Sequence, residues 1–243
     1  MEDYRPIDSF GEQNAEVYDD SPRGDEDDAV ALLRELAVDG PALELAIGTG
    51  RIALPLAAHG VRVDGIELSP AMVARLRSKP GGQDLAVTTG DMAEVTLEGT
   101  YRLVFVVFNS LFNLLTQDEQ VRCFTNAARH LHPDGVFLVE AFVPAFLHRL
   151  RDNQLVDAEA IGVDHVQLDV ARHDPVAQHL DESHVRLTGN GVQFFPVVTR
   201  YAWPAELDLM ARLAGLRLHE RWGGWQREPF TADSRQHISI YGR

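Results

Sequence analysis

The 243-residue chain has one cysteine, Cys123, one lysine, Lys79, and no long apolar run. A single thiol excludes an internal disulfide and any cluster of thiolate metal ligands. Cys123 lies in the amphipathic pattern "TQDEQVRCFTNAARHL", so it is expected to be a buried structural thiol and not a nucleophile. The longest apolar stretch, "LVFVVF" at 103–108, is far too short to cross a bilayer. Positive charge is scarce: 22 Lys and Arg against 37 Asp and Glu leave a formal net charge of −15. Phosphate backbones and anionic membrane surfaces are held by Lys and Arg, so neither nucleic acid nor membrane is expected as a partner. The opening "MEDYRPIDSF" lacks the charged-then-apolar pattern of a secretion signal, and a cytoplasmic location is expected.

What remains fits one soluble domain with a full core, residues 1–243. Residues 1–24 are polar and expected to be irregular. The acids at 25–28 lead into "AVALLRELAV", a helical period whose first turn suits negative charge. Strands and helices then alternate. "PALELAI" has strand length, "RIALPLAAHG" reads as a helix, and "VRVDGIEL" alternates as a second strand. "SPAMVARLRSK" places Ser69 at a helix cap and Pro70 at the first helical position. "DLAVTTG" is a third strand. "YRLVFVVFN" is a continuous apolar run, as in a central parallel strand buried on both faces. Thr116 and Glu119 form a capping-box pattern, and "GVFLVEAF" (135–142) is a fifth strand.

Such alternation implies a parallel sheet with helices on both faces. After residue 150 the pattern changes. "HVQLDVARH", "VAQHLDESHVRL" and "GVQFFPVVTRYAW" read as consecutive antiparallel strands within an insertion at 152–202. A helix over "PAELDLMARLAGL" and two last strands, at 216–222 and 236–242, complete the chain.

The turn "AIGTG" lies at the carboxyl end of the first strand, where open α/β sheets bind ligands. Gly48 and Gly50 let a ligand approach the backbone, and the following helix points free N–H groups at it. Glu67 ends the second strand, where a carboxylate can accept both hydroxyl hydrogens of a ribose. Gly48-Thr-Gly50-Arg-Ile-Ala53 also satisfies the dinucleotide pattern G-x-G-x-x-G/A, which keeps a nicotinamide-dependent dehydrogenase open at this point. No G-K-[ST] follows, so a P-loop is excluded.

"LELAIGTGRIALPLA" (43–57) resembles the first motif of the class I S-adenosylmethionine-dependent methyltransferases. Glu44 matches that family's acid, and Gly48 and Gly50 match its glycines. Ala46 stands where the family often has its first glycine. Glu67 in "GIELSPAMV" matches the ribose-binding acid, and Asp91 in "TTGDMAEV" matches the acid that meets the adenine amine. Met92 would offer its backbone N–H to the ring. The same resemblance places Leu68, Met72, Phe108 and Asn109 around the cofactor. Tyr18 and Arg23, in "AEVYDDSPRGDEDD", are similar to residues of an amino-terminal segment that closes over the cofactor in amino-sugar N-methyltransferases. Residues 1–40 are then a lid and first helix.

The resemblance implies a Rossmann-like, doubly wound seven-stranded sheet with a reversed last strand, plus the antiparallel β insertion after the fifth strand. It also implies S-adenosyl-L-methionine as cofactor and methyl transfer to N or O of a small-molecule acceptor. "NSLF" at 109–112 is not the N/D-P-P-Y/F/W motif of relatives that methylate nucleic-acid amines. No acid stands where magnesium-dependent catechol methyltransferases hold their metal, so no metal is expected. A protein that binds the cofactor without catalysis is the second reading. His148, just after the fifth strand, is a candidate base, and Asn113 a candidate for orienting the acceptor. Phe194, Phe195, Tyr201 and Trp203 are candidates for lining the acceptor pocket. His130 and His132 flank a turn and are expected to be solvated. An exposed apolar edge in the insertion could pair with a second copy of the chain.

Overall fold

The computed structural model describes residues 4–20 and 23–243. The main sheet has seven strands. The first five are β1 (Ala42–Leu45), β2 (Val63–Glu67), β3 (Ala86–Thr89), β4 (Tyr101–Val106) and β5 (Leu131–Phe142). The last two are β10 (Arg217–Trp222) and β11 (Gln236–Gly242). Their spatial order is β3-β2-β1-β4-β5-β11-β10. Strands β1 to β5 pair in parallel, whereas β11 runs antiparallel to both β5 and β10. The reversed last strand implied by the family resemblance is therefore present.

The run "LVFVV" is continuous because both faces of β4 are covered. Leu103 and Phe105 pack with Leu33 and Leu56, from α2 (Glu26–Ala37) and α3 (Ala53–Ala58). Val104 and Val106 pack with Phe124 and Leu207, from α5 (Gln117–His130) and α6 (Pro204–Leu213). The remaining helices are α1 (Glu12–Val17) and α4 (Pro70–Arg77). The Thr116–Glu119 capping box starts α5, and the Ser69 hydroxyl caps α4 by accepting the Met72 N–H at 3.2 Å. Cys123 is fully buried, and burial pushes its thiol pKa up, as expected of a structural thiol.

The insertion is a separate antiparallel sheet of β6 (Gln154–Ile161), β7 (His165–Asp174), β8 (His179–Thr188) and β9 (Gly191–Arg200). Three of these strands match the sequence reading. β6 does not, because it is a largely exposed edge strand whose "QLVDAEAI" carries little apolar signal.

Two expectations are corrected. The amino-terminal segment is not irregular: it holds a 3-10 helix at Pro6–Phe10, then α1, then a 3-10 turn at Tyr18–Asp20. Tertiary bonds supply what local propensity lacks. Ser9 Oγ donates to the Pro196 carbonyl at 2.6 Å, and Ser69 Oγ donates to the Phe10 carbonyl at 2.5 Å. His130 is not solvated but buried: its Nε2 accepts the Leu97 N–H at 2.8 Å, and its Nδ1 meets the Asn126 carbonyl at 2.8 Å. The helix end carries it inward as a bridge to the loop after β3.

Candidate active site

At the carboxyl end of β1 the chain turns through three left-handed residues, Ala46 (φ 58°), Gly48 (φ 56°) and Gly50 (φ 78°). Alternate positive φ values curl the backbone into a tight turn, closed by the Gly50 N–H donating to the Ile47 carbonyl at 3.0 Å. Glycine reaches this region without strain and alanine does not. The Gly48 N–H donates to Glu67 Oε2 and the Ser69 N–H to Glu67 Oε1, both at 2.8 Å. Burial holds the Glu67 carboxyl above its ordinary value, with the Ser69 and Gly48 N–H groups opposing. The carboxylate is thus fixed at the tip of β2.

A cavity of about 230 Å³ opens between the tips of β1, β2 and β3, with Ala46, Glu67, Leu68, Asp91, Met92 and Asn113 among its walls. Leu68 is 44% exposed, an apolar side chain left uncovered in a concave site. Asp91 is held by the Ala93 N–H, which donates to its Oδ1 at 2.8 Å. Glu44, at the base of the turn, has a buried Oε2 with no hydrogen-bond partner among the described residues, and burial raises its carboxyl well above the ordinary range. An orphaned acidic oxygen, a left-handed glycine turn and an uncovered apolar wall together fit an adenosyl cofactor.

Phe108 and Asn109, just past β4, are consecutive non-glycine residues in the left-handed region (φ 59° and 61°). Such backbone costs of order 1–3 kcal/mol per residue and persists where the surroundings enforce it. Here the enforcing groups are Glu140, which accepts the Phe108 N–H, and Asn109 Oδ1, which accepts the Phe142 N–H at 2.7 Å. The Phe108 ring meets two guanidinium groups, Arg51 at 4.0 Å and Arg23 at 4.4 Å, and the edge-on Tyr18 ring at 6.3 Å. Arg51 pairs with Glu26 at 3.6 Å.

The amino-terminal segment is tied over this region. Thr49 Oγ1 donates to Asp19 Oδ1 at 2.7 Å, and Lys79 Nζ reaches both Asp19 Oδ2 at 2.7 Å and the Thr49 carbonyl at 2.8 Å. Desolvation pushes the Asp19 carboxyl up, but the Lys79 and Thr49 bonds outweigh it and hold it low. Beyond Tyr18 lies a second cavity, of about 460 Å³, between this segment and the antiparallel sheet. Phe10 and Asn113 line both cavities, so the two are adjacent. A larger depression of about 710 Å³, near Arg34, Pro41 and Arg62, lies at the opposite, amino-terminal ends of β1 and β2.

Of the residues singled out from sequence, Ala46, Glu67, Leu68, Asp91, Met92 and Asn113 line the first cavity, and Tyr18, Phe108, Asn109 and Asn113 the second. Gly48 and Gly50 form the turn itself. Met72 lines neither; it is buried in α4 and bonds Ser69 through its N–H. Arg23 is engaged by Glu140, its two terminal nitrogens donating at 3.0 and 3.2 Å. His148 is corrected: the 3-10 helix at Pro144–Arg149 leaves it exposed and outside both cavities. Phe195 faces the second cavity, whereas Phe194 projects to the opposite face, 67% exposed. Tyr201 is buried with its hydroxyl 3.0 Å from His173 Nε2.

Sequence reasoning missed Arg51, Asp19, Glu140 and Glu182. Glu140 had a signal, as the one charge in the apolar strand "GVFLVEAF", and Arg51 had another, directly after Gly50.

The comparisons agree with this geometry. The family model described as "Methyltransferase domain" matches residues 42–135. The solved CcbJ methyltransferase from Streptomyces caelestis is 40% identical, with a TM-score of 0.92 over 98% of this chain and 99% of that one. A cypemycin N-terminal methyltransferase from Streptomyces sp is 27% identical over 201 residues, 83% of this chain and 82% of that protein. CalS10, an amino pentose methyltransferase from Micromonospora echinaspora solved with S-adenosylmethionine bound, shares the fold at 22% identity and a TM-score of 0.68, over 96% of each chain. A reversed seventh strand, a strand-end glycine turn facing a ribose-type acid, and these relatives give one answer: the chain belongs to the class I S-adenosylmethionine-dependent methyltransferases. S-adenosylmethionine is its cofactor, and the dinucleotide reading of the glycine turn is set aside. Among the described residues no helix is long and apolar enough to cross a membrane.

Proposed function

We propose that the protein methylates an amine nitrogen of a small polar molecule seated between the amino-terminal segment and the antiparallel sheet. The observation that carries this reading is the pair of adjacent cavities sharing Phe10 and Asn113. One has the character of an adenosyl site. The other, with its aromatic and polar walls, is large enough for a compact acceptor. The names of the cypemycin N-terminal methyltransferase and of the sugar N-methyltransferase KedS8 support nitrogen as the acceptor atom.

In the first cavity Glu67 keeps lone pairs beyond those used by Gly48 and Ser69, and these receive the ribose hydroxyls. Asp91 and the Met92 N–H meet the adenine edge, and Leu68 lies against its face. Ala46, Gly48 and Gly50 contour the methionine end, with Glu44 beneath them and Met72 steadying Ser69 from behind. Arg51 and Tyr18 face the methionine end more directly than Arg23, whose guanidinium is occupied by Glu140. When bound, the cofactor supplies an electrophilic methyl on a sulfonium.

The chain's own task is alignment, and well-aligned reactants can save roughly 7–11 kcal/mol of barrier. Phe108 and Asn109 in the second cavity, with Asn113 shared by both, orient the acceptor. A neutral amine carries its own lone pair, so the reading requires no metal. The described residues 4–20 and 23–25 act as the lid, and the sheet at 152–202 forms the far wall. A second copy packs on the outer face of that sheet, where Val156 and Phe194 are 68% and 67% exposed on the side away from the cavity.

The test is product formation. Purified protein with S-adenosylmethionine and a panel of small amines, with matched alcohols as controls, is assayed by mass spectrometry for methylated product. Methylated amines support the reading; methylated alcohols alone would replace it with O-methylation.

A further inference from the structure

We propose that Glu182 is the cation receptor of the acceptor cavity, so that the acceptor is an aliphatic amine that enters as its ammonium form. This rests on the methyl-transfer reading above and adds the residue that selects the substrate. Glu182 stands in the middle of β8, paired across the sheet with Val197 of β9, and both residues line the second cavity. Among the described residues its one hydrogen bond comes from Thr199 Oγ1, at 3.3 Å to Oε2, and no Lys or Arg lies within ion-pair distance.

Of the three cations that line this cavity, Arg51, His184 and Arg186, the first two are engaged elsewhere. His184, next along the same face of β8, is held by Asp169 of β7 at 2.6 Å. Arg51, across the cavity, is shared between Glu26 and the Phe108 ring. Arg186 lies a further step along β8, Glu159 of β6 stands near the Asp169–His184 pair, and Asp20 and Tyr18 face in from the amino-terminal segment. A carboxylate left in such a wall costs free energy until a cation meets it. A hydroxyl acceptor would leave it unpaired, and that mismatch selects against alcohols.

Burial pushes the Glu182 carboxyl up to about 7; His184 and Thr199 act against that rise, and Asp169 adds to it. The same surroundings push an ammonium the other way, toward the neutral amine. Once paired, the ammonium can therefore hand one proton to a Glu182 oxygen. The nitrogen keeps the electron pair of the broken N–H bond, and the pair becomes a carboxylic acid and an amine with a free lone pair. No further reactant is needed. Charge and protons balance within the cavity.

The test uses the full chain saturated with S-adenosylhomocysteine. Calorimetric titrations compare benzylamine with benzyl alcohol, cyclohexylmethylamine with cyclohexylmethanol, and glucosamine with glucose, at pH 8 and pH 6, in wild type and Glu182→Gln. At pH 8 the amine of at least one pair is expected to bind roughly tenfold or more tighter than its alcohol. That preference should shrink at pH 6 and vanish in Glu182→Gln. Unchanged S-adenosylhomocysteine affinity shows that the variant is folded. If no pair shows a preference, or the preference survives in the variant, the assignment is overturned. If wild type fails to bind S-adenosylhomocysteine, the site assignment itself falls, and this inference with it.

Discussion

Arg23 and Glu140, 117 residues apart, form a two-pronged ion pair at 3.0 and 3.2 Å, and the same carboxylate accepts the Phe108 N–H. The pair joins the amino-terminal segment to the strained wall of the second cavity. Removing one partner of a buried pair costs about 3–5 kcal/mol where the remaining charge is left uncompensated. Glu140 is 1% exposed, whereas the Arg23 side chain keeps some water contact. Arg23→Ala should therefore destabilise the fold more than Glu140→Gln, which can still accept the Phe108 N–H. Urea denaturation of both variants checks the order.

Glu67 ties the glycine turn to the start of α4 through two backbone bonds and faces the cavity with what remains. Glu67→Ala should weaken S-adenosylhomocysteine binding by roughly a hundredfold, from the loss of charge-assisted bonds worth about 1.5–3 kcal/mol each. Calorimetric titration reads the loss. Affinity within twofold of wild type would remove Glu67 from the ribose site.

Ala46 sits at φ 58°, a conformation that costs an L-residue roughly 1–2 kcal/mol. Ala46→Gly relieves that strain and loses part of the gain to the freer unfolded chain. The expected net effect is a stabilisation of about 0.5–1 kcal/mol with cofactor binding retained. Chemical denaturation with and without S-adenosylhomocysteine measures both.

Burial pushes the Glu182 carboxyl from the ordinary 4.5 of a glutamate up to about 7. Between those values the folded protein binds a proton that the unfolded chain does not, so the Glu182 contribution to stability falls as pH rises from about 4.5 to about 7. Glu182→Gln has no such proton to lose. Relative to the variant, wild type should lose stability across that window, and the two should converge at its acidic end. Melting temperatures between pH 5 and pH 8 read the difference. Parallel curves would show that Glu182 titrates normally.

Val156 and Phe194 share the outer face of the antiparallel sheet with Val170. If a second copy covers them, a Val156→Glu, Phe194→Glu double variant should sediment as a monomer while wild type sediments as a dimer, with cofactor affinity unchanged. A monomeric wild type would end that reading.

The main sheet was legible because its signals are local. The 103–108 run, the Thr116–Glu119 box and the Ser69–Pro70 cap each name an element within a few residues. The cofactor turn was legible for the same reason. The acceptor side was not. Glu182, Asp169 and Arg51 are scattered through unremarkable segments, and only strand register and the cavity bring them together. His148 misled because proximity in sequence to the end of β5 says nothing about which way a 3-10 turn aims a side chain. His130 misled because a helix end can point inward as readily as outward. The amino-terminal segment looked irregular because its helices are short and held by distant partners, Pro196 and Ser69 among them.

Lys79 carries the chain's one ε-amine, and that amine grips Asp19 and the glycine-turn carbonyl of Thr49. Acylating it erases the charge that holds the amino-terminal segment down, so the reagent that marks this latch also unfastens it. The speed of the reaction is then a clock for how often the latch opens unaided. Because the other long side-chain cations are arginines, amine chemistry touches no second side chain, and a dye on Lys79 would watch the cofactor door from its latch.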